Sequence, residues 1–125
     1  MIKYEIINNT ILEVNSKQID FKHEIKKVIE INNTLIVRLY IKKEKENVPS
    51  NNIYAISDKG EILWNIREIF RPNNPYKGVK VIDSNHYFAN CEKNDDNNLV
   101  VHTFIGISFV VDIEKKEIIS HFISK

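Results

Sequence analysis

The chain has 125 residues, 42% apolar and 28% charged, which fits one folded domain with a real core and argues against disorder. Eighteen basic residues against seventeen acidic ones leave a formal net charge of +1, neither the basic footprint of a nucleic-acid binder nor the acidic surface of a nucleic-acid mimic. No stretch approaches the ~18 uninterrupted apolar residues of a membrane span, and the single cysteine, Cys91, excludes an intrachain disulfide and suits a reducing cytoplasm.

The N-terminal run "MIKYEIINNTILEV" carries Glu5 among its apolar residues and has no small-residue cleavage pattern, so it does not read as a signal peptide. Short runs rich in Ile and Val, alternating with polar residues, predict strands over 2–7, 10–15, 18–22, 25–31 and 34–42. The lysines and glutamates of "IKKEKE" (41–46) follow as guards against edge-to-edge pairing. Next comes "NNIYAISDKGEILWNI" (51–66), a complete hairpin with strands at 51–57 and 61–66 around the turn Ser57-Asp58-Lys59-Gly60. Trp64 reads as its core anchor, because a tryptophan buries a large apolar area. "IREIF" (66–70) predicts one helical turn, stopped by Pro72. Further strands are predicted at 78–82, 85–91, 98–104, 107–112 and 117–123.

These strands repeat. "VIEINNTLIVRL" (28–39) lies over "VKVIDSNHYFAN" (79–90), and the 51–66 hairpin lies over "ISFVVDIEKKEIISHF" (107–122). Two units, 25–66 and 78–123, share one order of strands, and the hairpin 2–22 is a truncated third copy. Four strands per unit of about 40 residues is a propeller signature, yet closure takes at least about four such blades. The expected architecture is therefore a single all-β domain over 1–125. It is an antiparallel β-meander of about ten to twelve short strands, open and propeller-like or folded as two small packed sheets.

The segments "NNIYAISDKGEILWNI", "NPYKGVKVI" and "NLVVHTFIGISFVVDIEKKEII" resemble small Bacillus-type proteins with a propeller-like repeat of the YAID-x-x-G-x-I-L-W type. The resemblance spans about residues 51–123. Many such proteins lie beside polymorphic toxins and are regarded as immunity proteins, so the resemblance implies toxin inhibition by protein contact. Ser57 stands where an aspartate is usual and Lys116 where a turn glycine is usual, so the resemblance implies turns rather than ligand loops.

Residues able to carry chemistry are few. His23, His86, His102 and His121 lack the three-to-five-residue spacing of a compact ligand pair. Cys91 ends the apolar run "HYFANC" and reads as a small buried hydrophobe. A hydrolase built on His102, His121 and Cys91 is the weakest reading. The acidic loop "EKNDDNN" (92–98) lacks EF-hand spacing and reads as a solvated turn whose carboxylates meet a basic partner. No glycine-rich phosphate cradle, Gly-x-Ser-x-Gly elbow or Cys-x-x-Cys pair occurs. "REIFRPNNPYKG" (67–78) combines arginines with large rings on a proline-stiffened segment, the composition of binding hot spots.

The sequence thus leads to a non-catalytic bacterial binding protein of the cytoplasm, with no cofactor, metal, nucleic acid or membrane as ligand. Its expected partner is a cognate toxin domain, and the candidate contact residues are Arg67, Phe70, Arg71, Tyr76, Asp95 and Asp96. The alternative is an assembly module that homodimerises through its sheet edges.

Overall fold

The computed structural model describes residues 1–41, 51–70, 88–103 and 106–123. These form eleven strands and one short helix: β1 (Tyr4–Ile7), β2 (Ile11–Val14), β3 (Lys17–Asp20), β4 (Glu24–Ile31), β5 (Thr34–Tyr40), β6 (Ile53–Ser57), β7 (Ile62–Asn65), α1 (Ile66–Ile69), β8 (Phe88–Lys93), β9 (Leu99–Thr103), β10 (Ile107–Asp112) and β11 (Glu117–Ile123). The all-β antiparallel class expected from the sequence is what the chain adopts. The predicted strand at 78–82 lies outside the described residues.

The strands make three antiparallel sheets, each a meander in chain order: β1-β2-β3, β4-β5-β6-β7 and β8-β9-β10-β11. Asparagines make the tight connections. Asn15-Ser16 joins β2 to β3 and Asn32-Asn33 joins β4 to β5, all four residues with positive φ. Two-residue hairpins of this hand need positive φ at both positions, and asparagine tolerates that conformation better than other residues with a Cβ. This is how a chain with three glycines builds so many turns.

The sheets stack face to face with the second in the middle. Alternation along β5 shows why. Leu35, Val37 and Leu39 point into a core shared with Leu12 and Val14 of the first sheet. Ile36 points the other way, into a core shared with Leu99, Val101, Phe109 and Val111 of the third. A strand buried on both faces has to be apolar nearly throughout, which accounts for the run "LIV" at 35–37.

The first and second sheets meet at Gly60, in the turn Ser57–Glu61 where the Ser57 Oγ accepts hydrogen bonds from the Lys59 and Glu61 amides. Gly60 has φ +82°, and a Cβ there would lie 2.7 Å from the Val14 carbonyl oxygen and 3.0 Å from Lys17 Cβ. Gly60→Ala therefore combines left-handed strain with a clash against backbone that cannot swing aside. Urea unfolding should show a loss of about 2 kcal/mol. A change within about 0.5 kcal/mol would mean that the two turns are not in contact.

Candidate protein-binding surface

The segment after β7 is organised by Asn65. Its Oδ1 accepts from the Glu68 amide (3.3 Å), and its own amide donates to Glu68 Oε2 (2.7 Å), a reciprocal cap that starts α1. The helix is anchored by Ile66 and Ile69, both buried. Phe70 follows and also turns inward: it is 3% exposed, with its ring centroid 5.0 Å from both Phe88 and Phe109. The expectation of Phe70 as a surface contact is thereby corrected. Its ring joins two sheets and has no face left for a partner. Arg67 is half-buried, and burial lowers its pKa from the ordinary arginine value. Arg71 and Tyr76 lie outside the described residues.

Asp95 and Asp96 occupy the β8–β9 turn and are exposed. The turn is held by Asn94, whose Oδ1 accepts from the amides of Asp96 (3.0 Å) and Asn98 (2.9 Å). Asn94 also receives the Asn97 amide on its backbone oxygen, and Asn97 takes φ +60°. The amide side chain thus orders the backbone and leaves both carboxylates turned to solvent. Phe70 meets β8 at its Phe88 end, and the Asp95–Asp96 turn follows its Lys93 end. About 20 Å of strand separates them, so Phe70 and the Asp95–Asp96 turn, both among the described residues, lie toward opposite ends of β8 rather than in one cluster.

Sequence reasoning missed a polar array on that sheet. His102 Nδ1 lies 2.6 Å from Ser108 Oγ, and His102 Nε2 lies 2.9 Å from Glu92 Oε1. A carboxylate only accepts, so Nε2 carries the proton, and in the neutral ring Nδ1 accepts from the Ser108 hydroxyl. The order Glu–His–Ser matches the connectivity of a nucleophilic triad. The accessibility does not, because Ser108 is 0% exposed in mid-strand and no reacting carbonyl can reach its Oγ.

The three residues of the weakest reading also fail to converge. Cys91 pairs with Val101 on the core face, while His102 pairs with Ser108 on the opposite face. His121 is aligned with Phe109, again on the core side, with ring centroids 6.2 Å apart. Burial raises the Cys91 thiol above its ordinary pKa, which keeps it protonated and inert as a nucleophile. Among the described residues no group of three His, Cys, Asp or Glu is placed to hold a metal ion, and no helix is long and apolar enough to cross a membrane.

Comparison with known proteins gives one match. The chain matches no curated protein and no solved structure. The model of a family described as a domain of unknown function (DUF7957) matches residues 1–121. That covers nearly the whole chain, which therefore belongs to the DUF7957 family.

Proposed function

We propose that this chain is a bacterial immunity protein, one that neutralises a cognate toxin domain in the cytoplasm by binding it and without catalysis of its own. The observation that carries the reading is the β8–β9 turn. Asp95 and Asp96 stand exposed on a backbone already ordered by Asn94, so little conformational freedom is lost when a basic patch docks. The buried Ser108 and Cys91 support binding over hydrolysis, and the resemblance over 51–123 supports a toxin as the partner. A standard interface covers about 800 Å² per partner. Such a patch is about 30 Å across, enough to reach from the Asp95–Asp96 turn toward Arg67. The net charge of +1 favours an exosite, or a toxin that is not a nuclease, over mimicry of nucleic acid.

Co-expression with the product of the adjacent upstream gene tests the proposal. The neighbour alone should stop growth, and this chain should restore it and co-purify with the neighbour. Reversing the charge with D95K and D96K should then weaken the complex by about tenfold or more, mainly through slower association that depends on salt. A harmless neighbour, or rescue without co-purification, would remove the toxin reading.

One observation favours the second reading, an assembly module. The edge strand β11 carries exposed apolar side chains at Ile119, Phe122 and Ile123.

A further inference from the structure

We infer that Lys27 and Arg38 form a binding site for a small phosphate-class oxyanion, at the seam where β4 and β5 of the second sheet meet β8 of the third. The inference goes beyond the toxin reading and does not depend on it.

Lys27 and Arg38 are direct cross-strand partners on β4 and β5, and both take the face toward the third sheet. Arg38 follows Ile36 in the alternation of β5 and pairs with Ile53, which lies in the core shared with the third sheet. Lys27 reaches across to β8, where its Nζ donates to the Cys91 carbonyl (2.5 Å) and to Asn90 Oδ1 (3.3 Å). Two cations set opposite each other in a sheet repel. Among the described residues neither of them forms an ion pair with a carboxylate. Glu92, next to Cys91 in the chain, is turned to the other face and bonded to His102 Nε2 (2.9 Å).

The unused donors define the ligand. Arg38 Nε is buried and has no hydrogen-bond partner, a state that buried N–H groups rarely keep because it costs their full desolvation. An ammonium has three N–H donors, and the two contacts of Lys27 leave one. The guanidinium edge, Nε–H beside one Nη–H, matches two oxygens of a single oxyanion, which a halide cannot offer. Two positive charges favour a phosphoryl group, with about 1.5 to 2 negative charges at pH 7, over a lone carboxylate. The site is also ready-made. Lys27 is held by its two acceptors and Arg38 is half-buried, so little side-chain freedom is lost on binding. Burial raises the pKa of the Cys91 thiol, and the charges of Lys27 and Arg38 both oppose that rise, which places the two cations around one stretch of β8. Both keep partial exposure, and Asn90 beside them is exposed, so a small anion has access from solvent.

Calorimetric titration of the purified chain with inorganic phosphate, in chloride of matched ionic strength, gives the test. Saturable binding at one site is expected, and Arg38→Gln should weaken it by about tenfold or more. Arg38→Lys keeps the charge and removes the fork, and should weaken it by a similar factor because an ammonium makes no bidentate contact. Without phosphate, Arg38→Gln should unfold at the same urea midpoint as the unsubstituted chain or higher, because it relieves the repulsion between β4 and β5. If the Arg38 variants fold poorly, Lys27→Met, which retains the apolar stem, decides the matter. Phenyl phosphate in a parallel titration separates the sources: tighter binding than inorganic phosphate means a phosphoryl group carried on a small molecule, and weaker binding means the free ion. No saturable binding of either probe, or binding that survives both Arg38→Gln and Lys27→Met, would overturn the site. So would a lower midpoint for Arg38→Gln together with unchanged phosphate binding, which would assign Arg38 to structure alone. None of these outcomes bears on rescue from a toxin, so the two ideas fail separately.

Discussion

Replacing Asn52 with alanine is expected to lower the unfolding free energy by about 3 kcal/mol, read as a fall in the urea midpoint by circular dichroism. Asn52 is 0% exposed and joins the second sheet to the third. Its Nδ2 donates to the Phe88 oxygen (2.9 Å) and, more weakly, to the Leu39 oxygen (3.4 Å), while its Oδ1 accepts from the Phe88 amide (3.2 Å). Both backbone groups at the start of β8 are thus satisfied by one side chain 36 residues away. Alanine strands them in a buried site that water cannot re-solvate, and each stranded group costs about 1–3 kcal/mol. Asn52→Asp is the informative control. Its second oxygen would face the Phe88 carbonyl and a buried charge would replace a neutral amide, so it should be at least as damaging at neutral pH. Burial raises the folded-state pKa of such an aspartate. The protonated form is then favoured on folding and donates to the carbonyl again. Stability of this variant should therefore recover as pH falls from 7 toward about 4. A variant whose stability is flat over that range would show that position 52 does not contact Phe88.

The strands were legible because their period is local. Expected strands at 34–42, 107–112 and 117–123 correspond to Thr34–Tyr40, Ile107–Asp112 and Glu117–Ile123, and alternation plus β-branching is enough to locate them. The helical turn at 66–70 also formed. The sequence signal for its start, Asn65 three residues before Glu68, is a cap that could have been read directly.

What failed was non-local. Phe70 follows Arg67 and precedes Arg71, a neighbourhood that reads as surface. Its actual surroundings, Phe88 and Phe109, come from strands that only the stacking of sheets brings near. The Glu92–His102–Ser108 array was hidden for a related reason. Those residues share a face only through the register of three strands, one pair of which shifts between Phe88 and Asn90. A slip of one residue would send a whole strand's side chains to the other face. Asn52 was invisible for a third reason. It sits in a polar run, "SNN", that looks like an ordinary loop before β6.

Trp64→Ala is expected to be the most damaging single change, with a loss of about 4 kcal/mol in the same urea measurement. The ring is 2% exposed and lies in the core between the second and third sheets. Its Nε1 donates to the Ile113 carbonyl (3.3 Å), so the indole links β7 to the β10–β11 turn. Alanine removes the hydrogen bond and leaves a cavity whose rigid walls collapse only in part. Trp64→Phe separates the two contributions: packing is largely kept, the carbonyl loses its donor, and the loss should be about 1–2 kcal/mol. Trp64 is the only tryptophan in the chain, so tryptophan fluorescence vanishes with it and circular dichroism must follow both variants. The first sheet rests on the opposite face of the second, and its core residues do not touch the indole. Loosening at Trp64 should therefore act on the third sheet first, where β11 and the Asp95–Asp96 turn reside. A Trp64→Ala chain that keeps its first two sheets should lose toxin binding, as D95K and D96K should. A Trp64→Ala loss below about 1 kcal/mol would mean that the second and third sheets are not held together through this ring.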